Sequence, residues 1–173
     1  LFDDSKTVEK RFETLSDRLS IRNGVVYLDS DPVNNALTNQ IVRFLDEGVE
    51  DWQPLVEFYD RLATNPNQES VDQLYRWLDA HAFTITDDGK IIGYKGVQRN
   101  SDDQLVSINS GTAIVDGVEY DGLIPNHINA VVEMPRSEVE FNPSNGCSTG
   151  LHVGTWDYAQ GWGRGVVLKV LVD

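Results

Sequence analysis

The sequence predicts an α+β fold: an N-terminal helical layer of three to four helices, then a mostly antiparallel β-sheet with one short late helix. Two observations lead there. Apolar residues recur at helical spacing as far as Leu78, and from Phe83 onward the pattern becomes short β-prone runs broken by glycine-containing turns. Helices and strands are thus segregated along the chain, which argues against the alternating order of a parallel sheet. We expect an amphipathic helical arm over residues 1–20 and a single α+β domain over 21–173, helical over about 21–82 and β-rich over about 83–173.

Val8, Phe12, Leu15 and Leu19 stand at helical spacing among charged residues, so the arm presents one apolar face to a core or a partner. After the Arg22-Asn23-Gly24 turn, Val25 to Leu28 form a short β-prone run that ends at Asp31-Pro32. Leu37, Ile41, Val42 and Leu45 predict the next helix, with Asn34 or Asn35 as cap and Gly48 beyond its end. Pro54 suits a first helical turn, and Leu55, Phe58, Tyr59 and Leu62 follow before Asn65-Pro66 stops the helix. Val71, Leu74, Trp77 and Leu78 mark another helix, started near Asn67 or Ser70. Short links make such neighbours pack antiparallel.

Beyond them, Phe83 to Thr86 and Ile91 to Val97 predict a hairpin about Asp87-Asp88-Gly89. Further strands are expected at Leu105–Ile108, Thr112–Val115, Val118–Tyr120 across Asp116-Gly117, Ala130–Met134, Leu151–Gly154 and Val166–Val172, with Trp156–Trp162 as the late helix.

With 14 Lys and Arg against 28 Asp and Glu, the net charge is −14, which opposes phosphate backbones and disfavours direct nucleic-acid binding. One Cys and three His exclude an internal disulfide and give little for a structural zinc site, so a reducing, intracellular setting fits. No apolar run nears the roughly 18–20 residues that span a bilayer. Leu1 in place of Met and the abrupt end after Val172 suggest a module trimmed from a longer chain.

Four motifs stand in order in the second half: Ile85-Thr86-Asp87-Asp88-Gly89, Tyr94-Lys95-Gly96-Val97, Val131-Val132-Glu133-Met134-Pro135-Arg136 and Cys147-Ser148-Thr149-Gly150-Leu151-His152-Val153. Ile21 to Leu28, Val42 to Gly48, Asn65-Pro66 and Leu74 to Leu78 add to them in the first half. Together they resemble the RIIB proteins of T-even-type phages over roughly residues 20–173, as a C-terminal module. The stretch from Ser107 to Ile128 departs from that pattern by an added Asp116-Gly117 hairpin. The resemblance implies a phage-encoded accessory protein in the cytoplasm of the infected bacterial cell, concerned with lysis timing or with escape from prophage exclusion and host defence. It implies protein interactions, with an RIIA-like phage protein or a host protein, peripheral membrane association through such a partner, and no settled reaction. Homo-oligomerisation stays open.

Cys147 and His152 are five residues apart, and a thiolate activated by an imidazole would be the nucleophile of a cysteine hydrolase; a buried Cys and a His bonded to backbone is the other reading. Gly150 to Thr155, followed by Trp156-Asp157-Tyr158-Ala159, faintly resembles the strand-then-helix segment of ADP-ribosyltransferases. Tyr94-Lys95-Gly96 would stand at their first motif, where Arg or His is usual, and the completing carboxylate strand is not identifiable. Lys95 reads either as an exposed strand lysine or, like Arg136, as the partner of Glu133, Glu138, or a ligand carboxylate or phosphate. The candidate catalytic residues are therefore Cys147 and His152, and the candidate binding residues Tyr94, Lys95, Arg136, Ser148, Gly150 and Thr155. No metal or cofactor is expected: the acidic residues lack the alternation of an EF-hand loop, and Gly161 to Gly165 lacks the Lys-Ser/Thr ending of a P-loop.

Overall fold

The computed structural model describes residues 18–22, 25–33, 38, 53–81, 83–140, 142, 145 and 148–173. The chain divides into two compact units, one running to Ile91 and taking in Asp173, the other Ile92–Val172.

The first unit opens with a three-stranded antiparallel meander, β1 (Leu19–Arg22), β2 (Val25–Leu28) and β3 (Asp31–Pro32), in the order β1-β2-β3. Leu19 faces Leu28 and Arg22 faces Val25 across the first pair. Asp29 and Ser30 both take positive φ, the two-residue turn whose twist matches that of its strands. Val26 and Leu28 are 1% exposed while Val25 between solvent and turn is 39% exposed, a period of two that no helix would give.

Two helices follow, α1 (Gln53–Ala63) and α2 (Gln68–Ala80). Asn67 caps α2, its side chain accepting from Ser70 N at 3.0 Å. Leu55, Val56, Phe58, Val71, Tyr75 and Leu78 join Val26, Leu28, Val33 and Ile91 in one buried cluster. Each fully buried Leu or Val contributes about 1.5–3 kcal/mol. Gly89 (φ +76°) closes the turn between β4 (Thr84–Ile85) and β5 (Ile91–Arg99), and a Cβ there would strike the backbone of Glu57 and Phe58.

The second unit is built on β5, β6 (Leu105–Val115), β7 (Val118–Pro125), β8 (Val132–Glu133) and β9 (Val166–Val172), with a 3-10 turn at Arg136–Glu138 and helix α3 (Trp156–Trp162) before β9. β6 pairs antiparallel with β5, β7 and β8, and β9 pairs with β5. Asp116 (φ 51°) and Gly117 (φ 81°) make the two-residue turn into β7, and Ala113, Val115 and Ile124 form a small core with Ala130 and Val132.

The expected helical layer of three to four helices is corrected by these elements. Among the described residues nine strands and three short helices have full bounds, so the sheet dominates; of those helices α1 and α2 precede the larger sheet, and Thr38 is one further helical residue ahead of them. The helix periodicity of Val8 to Leu19 failed at its one described member: Leu19 lies in β1, because Leu19 to Arg22 finds in Val25 to Leu28 a β-prone partner one turn away. The helix expected over Leu37 to Leu45 lies outside the described residues apart from Thr38. The hairpin about Gly89 and the late helix stand as expected. Leu105–Ile108 and Thr112–Val115 are one strand, and Leu151–Gly154 makes a single bridge to Tyr94. Among the described residues no helix is long and apolar enough to cross a membrane.

Candidate functional site

The second unit contains a cleft of about 430 Å³, within the range of about 300–1,000 Å³ usual for ligand sites. It exists because the sheet splits. β5 and β6 pair only at Gln98–Val106 and Arg99–Leu105. Further back along β5, Tyr94 instead exchanges both backbone hydrogen bonds with Gly154, at 2.9 Å each. Asn100, six residues on, donates its N–H to Gln104 across the turn into β6, so by the alternation of a strand Tyr94 and Asn100 use the same edge of β5. The segment ending at Gly154 therefore takes the edge that β6 vacates.

On β6 the matching edge is left open among the described residues. β7 covers one edge from Ser110 to Val115, and β5 and β8 share the other, β5 at Leu105 and Val106 and β8 at Ile114 and Val115. Among the described residues no strand pairs with that second edge between them. The Gln98 amide fills the fork by donating to Ser107 O at 3.0 Å and Ile108 O at 3.2 Å. A bulge sits between Val106 and Ser110, where Ser107 Oγ donates to Asn109 O and accepts from Ile124 N. The backbone from Ser110 to Thr112 remains facing the cleft.

Helix α3 walls the other side with Tyr158, Ala159 and Trp162. Thr155 caps it, accepting from Tyr158 N at 3.4 Å. The helix lies directly on β5: a Cβ on Gly96 would sit 2.5 Å from Ala159 O and 2.6 Å from Gly163 N. That is the physical reason for glycine in Tyr94-Lys95-Gly96. The Tyr94 ring meets Trp156 edge-on at 5.4 Å, and Tyr158 lies 6.3 Å from Trp162.

Of the candidate site residues, Tyr94, Lys95, Ser148, Gly150 and His152 line the cleft, together with Glu138. Thr155 and Arg136 do not; Thr155 is the helix cap and Arg136 belongs to the exposed turn after Pro135. Cys147 lies outside the described residues. Lys95 Nζ contacts His152 O at 3.4 Å and makes no ion pair among the described residues. Burial holds its ammonium pKa below the ordinary value. Burial, and then the Lys95 charge, hold the His152 imidazole below 6.5, opposed by a backbone hydrogen bond at Gly150. The ring is thus mostly neutral at pH 7.

Reading the chain alone missed the β6 edge and the buried Asn126, whose Nδ2 donates to Ile124 O at 2.7 Å on the cleft wall. The signal for the edge is Asn109-Ser110-Gly111, weak strand formers in the middle of a strand.

By its fold the protein is a small, strand-dominated chain whose described helices are short, with a ligand-sized cleft in its second unit. Residues 3–173 match the family described as Bacteriophage T4 protein rIIB, and the chain belongs to that family. It is 28% identical to protein rIIB of Enterobacteria phage T4 over 160 residues, 91% of this chain and 46% of that one, so it spans about half the length of this curated relative. No solved structure matches.

Proposed function

We propose that the chain is an interaction module of the rIIB family, acting in the infected bacterium on lysis timing or on escape from prophage exclusion and host defence. Its partner is an RIIA-like phage protein or a host protein, and any peripheral association with the membrane comes through that partner. The supporting observation is the exposure of three large aromatic side chains on one short helix: Trp156 is 49% exposed, Tyr158 52% and Trp162 47%. Trp and Tyr supply large contact area at low conformational cost and dominate interface energetics. The test is co-purification, from infected cells, of the RIIA-like protein of the same phage with this chain. Recovery that falls at least tenfold for Trp156→Ala/Trp162→Ala is expected; equal recovery, or none with either chain, refutes the reading.

A second reading, an enzyme of the cysteine hydrolase or ADP-ribosyltransferase-like kind, draws on His152, a neutral imidazole in the cleft wall. It fails if Cys147→Ala and His152→Ala both restore growth fully in a complementation assay.

A further inference from the structure

We propose that the cleft receives the C-terminal segment of a partner protein as an added β-strand on the open edge of β6, its terminal carboxylate meeting Lys95. This deepens the interaction reading and rests on it.

Three observations carry the inference. The first is the open edge. Asp116 N donates to Val131 O on the β8 side, so by strand alternation the backbone groups of Thr112 and Ser110 point to that same side, while Gly111 and Ala113 point to β7. Ser110 and Thr112 thus offer N–H and C=O groups to an incoming strand, and exposed strand edges are templates for such pairing. The second is that the edge is bounded at both ends, by β5 at Val106 and by β8 at Ile114. A segment running through would have to pass both strands, whereas one that ends in the cleft needs a single exit. The third is charge. Lys95, on the β5 wall, is partly buried and has a carbonyl 3.4 Å away in place of a carboxylate. A lysine with its stem in a cleft and no counter-ion suits an anionic group, and a chain terminus supplies one without a side chain.

The geometry also sets the direction and the residue type. A guest entering at the β8 end, past Val132 and Met134, and finishing near Lys95 runs antiparallel to β6. Its alternate side chains face the wall of Tyr158, Ala159 and Trp162, so a large apolar residue at or next to the last position fits.

The test uses the full chain and a library of fluorescein-labelled hexapeptides with free C-terminal carboxylates and Leu, Val, Ile or Phe in the last two positions, read by fluorescence anisotropy. Some members are expected to bind, and their C-terminal amides to bind at least tenfold more weakly. N-methylation of alternate backbone amides in a binding peptide should cost at least tenfold in one register and little in the other. Lys95→Met should match the loss seen with the amides. Thr112→Pro removes an N–H from the open edge and none from the β7 ladder; if it does not fold, the N-methyl peptides still decide the backbone term. Absence of binding across the library, or binding indifferent to amidation and N-methylation, overturns the inference. A partner captured from infected cells equally well by Lys95→Met and the parent chain would overturn it too, while leaving the interaction reading intact.

Discussion

Gly96→Ala places a methyl group where α3 rests on β5. A Cβ there would be 2.5 Å from Ala159 O and 2.6 Å from Gly163 N, both backbone atoms that no rotamer change can move. Ordinary carbon contacts need about 3.5 Å, so the helix must retreat by about 1 Å. Overpacking of this kind typically costs about 1–3 kcal/mol, and removing a strand glycine returns about 0.5–1 kcal/mol of backbone entropy. We expect a net loss of about 1–2 kcal/mol. Gly161→Ala is the matched control: it lies within α3 and a Cβ there meets nothing within 4 Å, so helix propensity alone should stabilise by up to about 1 kcal/mol. Urea titration of both variants, followed by near-ultraviolet circular dichroism, measures the two signs. A neutral or stabilising Gly96→Ala would show that α3 is not seated on β5, and the cleft would lose its wall.

Three other outcomes follow from the same geometry. Leu28→Ala removes a side chain 1% exposed in the first unit's core and should destabilise by about 2–5 kcal/mol in the same titration; under 1 kcal/mol would mean that β2 does not pack as described. The Arg18 guanidinium, 2.6 Å from Asp29 Oδ2, holds that carboxyl below its ordinary 3.8, so its contribution is present above that value and is lost as the pH falls through the lower folded-state pKa. Asp29→Asn should flatten the acid limb of the Tm profile below about pH 4, and an unchanged limb would refute the pairing. Burial depresses the Lys95 ammonium, which means that its charge opposes folding below its folded-state pKa; Lys95→Met should therefore raise Tm at neutral pH even as it weakens peptide binding at least tenfold, and a lowered Tm would mark Lys95 as structural.

How much was legible varied with the range of the physics involved. Local chemistry is legible: Asn65-Pro66 ends α1, Asn67, one of the two starts offered, caps α2, and Asp116-Gly117 makes its turn, whereas Thr155, taken for a binding residue, caps α3. The meander was not foreseen as a sheet. Val25 to Leu28 reads as a strand, but Leu19, the first residue of its partner Leu19–Arg22, is also the last of the helix-spaced set Val8, Phe12, Leu15 and Leu19, and pairing overrides that spacing. In the site, Lys95, Tyr94, Ser148, Gly150 and His152 were singled out as chemistry-bearing types and do line one cleft. The cleft itself depends on where β5 leaves β6, a long-range choice decided by the Tyr94–Gly154 bridge across 60 residues, which no local pattern encodes. Gly96 looked like part of a ligand motif, and its glycine is needed for helix packing.

Hydrogen exchange of this chain, alone and mixed with the RIIA-like protein proposed as its partner, tests the central claim most directly. Slowed exchange at the Ser110 and Thr112 amides and through Trp156–Trp162, with the rest of the second unit unchanged, is the predicted result. Protection confined to other surfaces, with these amides exchanging as in the free chain, would contradict it.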